Sequence, residues 1–132
     1  MSSIKHFPIG SLGFPNSHTL VAIMDDVSTA GSTWTSSLPF DYEVENAYVT
    51  IMGAIATADV TFTLEINGTP IAGMSATVPF SGSAAGSTVA FSAPSGGPTN
   101  EVSEGDVVEV VSDGASDNAV KAIINISVRR IA

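Results

Sequence analysis

Apolar and polar residues alternate along much of this chain, most cleanly in VTFTLEI at residues 60–66. Val60, Phe62, Leu64 and Ile66 fall on one side of an extended backbone, and Thr61, Thr63 and Glu65 on the other. A period of two predicts a strand with one buried and one solvated face. Asn67-Gly68 follows. Both central residues of a type I′ turn need positive φ, which Asn and Gly tolerate, so the stretch predicts a hairpin. Its return strand opens at TPIAG, with Pro70 near the start, where a strand accepts proline.

Further strands follow from the same reading. TLVAIM is a short apolar run that ends at Asp25-Asp26, and STWTSSLPF alternates around Trp34. NAYVTIMGAIA is rich in β-branched residues, and its Gly53 marks a bulge or a close backbone approach. Two shorter candidates lie at 76–80 and 88–92, each followed by a Gly-, Ser- and Pro-rich loop, at 82–86 and 94–98. DVVEVVS is a strand, DGASDN a turn, and AVKAIINISVRR a long final strand. That strand places Val120, Ala122, Ile124, Ile126 and Val128 on one face. No window of helical length carries a 3.6-residue stripe, and no repeat has solenoid or propeller length. The expectation is an all-β fold, an antiparallel jelly-roll β-sandwich of about eight strands, with an immunoglobulin-like sandwich as the alternative.

Residues 1–19 read differently. HFPIGSLGFPNSH mixes apolar anchors with Pro8, Gly10, Gly13 and Pro15, and its prolines bar a helix interior. The expected organisation is an extended N-terminal arm over 1–19 and one sandwich domain over 20–132. The arm either lies across another surface or packs on its own domain.

Composition narrows the function. The chain has 132 residues, enough for one domain with a real core. It is 44% hydrophobic and only 13% charged, so much of its surface is Ser, Thr, Gly and Ala or is covered by another protein. Thirteen acidic residues face four basic ones, Lys5, Lys121, Arg129 and Arg130, for a net charge of −9. That balance argues against partners that are nucleic acid or anionic membrane. It also favours solubility at high copy number. There is no cysteine, hence no disulfide or thiol chemistry. The first residues lack an apolar h-region, so no secretion signal is expected, and the sequons at Asn67 and Asn125 are discounted.

The search for chemistry returns little. His6 and His18 are the only imidazoles, both in the proline-broken leader, and no nucleophile elbow, P-loop or dinucleotide glycine pattern occurs. Asp25 and Asp26 are adjacent, so on a strand they point to opposite faces. DGASDN offers oxygens but lacks EF-hand spacing, and reads as a solvated turn. Neither a metal nor a cofactor is expected. Trp34 reads as a core or interface anchor, with a sugar-stacking platform as the other reading.

Three features in order then look familiar: WTSSLPF ahead of a strand opening at Asn46, the alternating strand ending in EINGTPI, and VSEGDVVEVVSDG before the last strand. This arrangement, over about residues 30–132, resembles the small jelly-roll proteins of tailed bacteriophages that decorate capsids or form head fibres. The resemblance implies a non-enzymatic structural protein on the outer surface of the virion, made in the host cytoplasm. It implies a homotrimer with the major capsid protein as partner. It also implies that His6, Phe7, Ile9, Leu12 and Phe14 contact the capsid or a neighbouring subunit, with Trp34 a further interface anchor. The alternative is a receptor- or carbohydrate-binding knob of a phage fibre, using Trp34, Tyr42 and Tyr48. A cupin-type enzyme is disfavoured because both histidines precede the barrel.

Overall fold

A computed structural model describes residues 16–95 and 97–131. Nine strands are found there: β1 (Ser17–Met24), β2 (Gly31–Trp34), β3 (Tyr42–Ile51), β4 (Val60–Ile66), β5 (Thr69–Val78), β6 (Thr88–Ala90), β7 (Glu101–Val102), β8 (Val108–Ser112) and β9 (Ala122–Arg130). The only helical element among them is a 3₁₀ turn, Gly97–Asn100. No helix among the described residues is long and apolar enough to cross a membrane.

The pairing defines the architecture. One sheet runs β1-β9-β3-β6, with β7 also on β3, and the other runs β2-β8-β4-β5. All pairs are antiparallel. If β6 and β7 count as one interrupted strand, the first strand pairs with the last, the second with the next to last, and so inward to β4 and β5. Those are the pairings of one long hairpin. Rolling that hairpin brings β9 against β3 and β8 against β4, which makes the two sheets of a jelly roll. An immunoglobulin-like sandwich is excluded, because it pairs its first two strands in one sheet. Here β1 and β2 lie in different sheets.

The core fills the space between the sheets. Leu20, Ala22 and Met24 from β1, and Ala122, Ile124, Ile126 and Val128 from β9, face Val60, Phe62, Leu64 and Ile66 from β4 and Val108 and Val110 from β8; all are buried. A large apolar side chain taken fully from water contributes about 1.5–3 kcal/mol before entropy is set against it. Among the described residues this core runs from Leu20 to Val128.

Two strands change face midway, and both changes are bulges. In β3, Tyr42 and Val44 point inward, then Ala47, Val49 and Ile51 do. The register against β9 slips between Val44 and Asn46, which leaves Glu45 as the extra residue. In β5, Ile71 points inward, then Met74, Ala76 and Val78. Here the pairing jumps from Glu65↔Pro70 to Thr63↔Ser75. Gly73 sits in that bulge at φ +84, and a Cβ there would lie 2.5 Å from Ser95 Oγ. The predicted return strand at TPIAG and the separate strand at 76–80 are therefore one interrupted strand. Asn67 (φ 52) and Gly68 (φ 80) take the positive values expected of the hairpin.

Other boundaries moved as well. Residues 17–19, read as part of the arm, are the first residues of β1, so His18 lies within the sandwich and not before it. β3 opens at Tyr42, ahead of Asn46. Gly53 lies beyond the end of β3, where a Cβ would meet the Val120 methyls at ordinary contact distance.

The four sheet edges are treated unequally. β5 is covered by the segment after β6, where Ser92 N donates to Ser75 O (3.0 Å) and Ser95 N to Ala72 O (2.7 Å). β2 has four residues, β6 three and β7 two. β1 has eight, in unbroken register with β9 from Ser17 to Met24.

Candidate functional site

With two packed sheets and a filled interior, the surfaces available for function are the outer faces, the edges and the loop ends. On the first sheet the register sets outward side chains in rows across the strands. Ile23, Ile123, Thr50 and Thr88 form one row, and Val21, Asn125, Tyr48 and Ala90 the next. Val21, Ile23, Tyr48 and Met52 are each about half exposed, at 50, 53, 48 and 49%. This exceeds the single scattered apolar residues normal on a surface, because four lie on one corner of one sheet. Thr50 and Thr88 share a hydroxyl–hydroxyl bond of 2.8 Å beside it. Charge is sparse there: Asp25 and Lys121 stand 4.0 Å apart at the rim.

The far end of the same face is ionic. Arg129 on β9 is the cross-strand partner of Glu43 on β3 and bonds it through both Nε and Nη2. Its Nε also lies 3.3 Å from Glu45 Oε2, a carboxylate turned this way by the bulge. The hydrogen bond and the charge of Glu43, with Glu45 adding to them, hold the guanidinium above its ordinary pKa.

The outer face of the second sheet has another character. Thr61 and Thr77 are hydroxyl-bonded at 3.0 Å, and Glu65 stands directly opposite Glu109. Trp34, the cross-strand neighbour of Glu109, is 58% exposed. Its expected place in a core is therefore corrected, and a position at an interface remains open to it. It sits at the end of a four-residue edge strand, where no second sheet covers its ring.

An aromatic cluster closes the end of the sandwich near Asn16. His18 and Phe40 meet at a tilt of 42° with centroids 5.0 Å apart, Tyr42 meets Phe40 edge-on at 6.5 Å, and Arg130 lies 5.0 Å above the Phe40 ring. Tyr42 is fully buried, which removes it from the expected exposed sugar-binding set. Its hydroxyl has no hydrogen-bond partner among the described residues. Burial, reinforced by the nearby Asp106 charge, pushes the phenol up to about 12.

The acidic side chains of the turns bond backbone and hydroxyl groups around them. Asp26 Oδ1 accepts from Ser28 N (2.8 Å) and Ser28 Oγ (2.5 Å), and these bonds hold its carboxyl below the ordinary value. Asp113 accepts from Ala115 N, and Asp117 from Thr57 Oγ1. Among the described residues no group of three or more His, Asp or Glu is placed to hold a metal ion. Two open depressions of about 230 Å³ each lie at the β1–β2 corner and under the β5–β6 connection. Neither contains an imidazole, and the carboxylates of the first, Asp25 and Asp26, are the ion-paired and turn-bonded groups already described. His6, Phe7, Ile9, Leu12 and Phe14 lie outside the described residues.

No protein-family profile and no curated protein sequence matches this chain. Solved structures do. The chain is similar in fold to chains of two bacteriophage capsids. One comes from the cyanophage Pam1 capsid asymmetric unit, at 13% identity and TM-score 0.55, over 99% of this chain and 97% of that one. The other comes from the acid-stable capsid of the Helicobacter pylori bacteriophage KHP30, at 17% identity and TM-score 0.50, over 86% of each chain. A carbohydrate-binding module, Xyl-CBM35 solved with a glucuronic acid-containing disaccharide, follows at TM-score 0.47 and 15% identity. At these identities the likeness establishes the architecture, and the faces described above are this chain's own.

Proposed function

We propose that this protein is a structural component of a tailed-phage virion: a decoration, or cement, protein that binds the outer surface of the head. It acts without catalysis, as a homotrimer, and its partner is the major capsid protein. The observation that carries this reading is the end-to-end correspondence with a chain of the Pam1 capsid, which leaves almost no part of either chain unmatched. The half-exposed apolar corner of the first sheet supplies a surface suited to protein contact.

The mechanism is mechanical. A filled head fails where capsid subunits part, and a protein seated across two of them must be torn away first. One standard interface buries about 1,600 Å² in total. Three linked copies raise the effective concentration at the second and third sites, so modest contacts add to a slow release.

The test is to add the purified protein to heads assembled from the cognate capsid protein alone and to image them by cryo-electron microscopy while following heat-induced rupture. Extra density at regular outer positions and a higher rupture temperature are expected. Absence of both would overturn the reading. The carbohydrate-binding alternative is favoured by one observation, the exposed Trp34 ring beside Glu109. It would be supported by glycan-array binding that Trp34→Ala abolishes.

A further inference from the structure

We propose that residues 1–15 of one copy of this protein lie along the open edge of β1 in another copy and add a strand to its first sheet. The inference deepens the self-associating virion component proposed above and rests on that reading.

It starts from the β1 edge. The Ile23 carbonyl accepts a hydrogen bond from Thr33 Oγ1, so at Ile23 the backbone faces away from β9. In an antiparallel strand a residue's N–H and C=O point the same way, and alternate residues repeat the direction. Thr19 and Val21 therefore present donor and acceptor to the same side. Among the described residues, Thr33 Oγ1 is what reaches this edge. A long, straight strand edge is an invitation to pairing, and proteins blunt such edges with bulges, lysines, prolines, brevity or a covering segment. The other edges here are covered or short. β1 is eight residues long and has no bulge, no lysine and no proline. The side chains beside it, Val21 and Ile23, continue into the exposed corner with Tyr48 and Met52.

Three features select the occupant. The first is reach: fifteen residues extend to about 50 Å. Lying along the eight-residue edge takes about 27 Å and leaves the remainder to cross between copies. The second is charge. All 13 carboxylates lie beyond residue 15, whereas residues 1–15 carry Lys5 and no acid. Between two acidic bodies, this is the segment that approaches without repulsion. The third is chemistry, since Ile4, Phe7, Ile9, Leu12 and Phe14 provide apolar side chains for the corner. Pro15 favours a neighbour's edge over the chain's own. A tight return onto its own β1 would put Pro15 first in a two-residue hairpin turn, where types I′ and II′ need positive φ and proline is held near −65°. A segment-to-edge contact is head-to-tail, and repeated about an axis it closes a ring.

The absence of native cysteine makes the test direct. The full chain carrying Gly10→Cys and Val21→Cys is treated with a short bis-maleimide and run on a denaturing gel. Species of two or three chains are expected, at yields at least tenfold above either single variant. An internally linked single chain, or no linkage, would overturn the proposal. Val21→Lys places a charge on an exposed edge position without touching the core. Light scattering should show its mass fall to 13.4 kDa from a multiple of that value, with an unchanged circular dichroism melting curve. A wild-type chain already at 13.4 kDa, or a Val21→Lys chain that keeps its oligomer, would overturn it equally. Head binding is scored separately. An oligomer that fails to bind heads removes the virion reading and leaves the arm exchange standing, and a monomer that binds heads does the reverse.

Discussion

Tyr42→Phe should make this protein more stable, against the usual direction of core substitutions. The Tyr42 side chain is fully buried at the aromatic end of the sandwich, and its hydroxyl meets no protein partner among the described residues. A buried polar group left unpaired costs about 1–3 kcal/mol. Phenylalanine removes that cost and keeps the edge-on contact with Phe40. It also vacates the space of one oxygen, which returns a fraction of the gain. A net gain of about 1 kcal/mol follows, or about 3–5 °C in Tm for a domain of this size. Alkaline pH gives a second, independent signature. The phenol is raised from 10.0 to about 12 by burial and then by Asp106. Its stabilising contribution is therefore fully present below pH 10 and is lost as pH rises through about 12, because the unfolded chain ionises first. At about 1.4 kcal/mol per pKa unit, the loss attributable to this group is at most about 2–3 kcal/mol. Urea unfolding of both proteins between pH 7 and 12 measures this. The Tyr42→Phe curve should start higher and fall less steeply above pH 10. A variant less stable at pH 7 would show that the hydroxyl is bonded through ordered water. Parallel alkaline limbs would refute the burial argument itself.

Other substitutions probe separate parts of the fold. Phe62→Ala empties the centre of β4, where the ring is fully buried, and should cost about 3–5 kcal/mol in chemical denaturation. Ser112→Ala removes a buried hydroxyl that donates to Val27 O (2.9 Å) and accepts from Gly114 N (3.1 Å). It should cost about 1–3 kcal/mol by the same measurement, since both backbone groups lose their partner. Gly114→Ala and Gly68→Ala share positive φ (69 and 80) but differ in space: a Cβ at 114 would lie 2.4 Å from Ala30 N, whereas at 68 nothing lies within 4 Å. The first should lower Tm several-fold more than the second, whose cost is the backbone strain of about 1 kcal/mol alone. Equal shifts would show that the 29–30 backbone yields freely.

The strands that could be read from the sequence are those with an unbroken period. β4 and β9 keep strict alternation, and their inward residues are the ones the pattern named. β3 and β5 escape that reading because each contains a bulge, and an odd number of added residues, one in β3 and three in β5, inverts the parity of everything after it. Glu45 gives no local sign of being that residue. Gly73 does, since glycine within a strand pattern marks a bulge. β7, with two residues, is shorter than any periodic signal. The candidate surface was hidden for a different reason. TLVAIM is an apolar run with no polar face to mark its outer side, yet Val21 and Ile23 face outward with nothing over them among the described residues. Trp34 and Tyr42 ended in opposite surroundings, and neither outcome is encoded nearby. Trp34 is on a short outer strand, while Tyr42 is closed in by β9 and β7, which arrive from far along the chain.

The position of β9 bears on how the molecule comes into being. It fills the slot between β1 and β3, and pairs Ser17 with Arg129 and Tyr42 with Arg130. Until that strand leaves the ribosome, β1 has no neighbour in its sheet, and the inner faces of the strands already made stay wet. Folding of this domain therefore waits until its last strand is made and is slow, as contacts between distant parts of a chain are. A prematurely terminated copy would lack the central stave of its first sheet. Such a copy would go to proteolysis, so the topology alone keeps chains without β9 out of the joining pool.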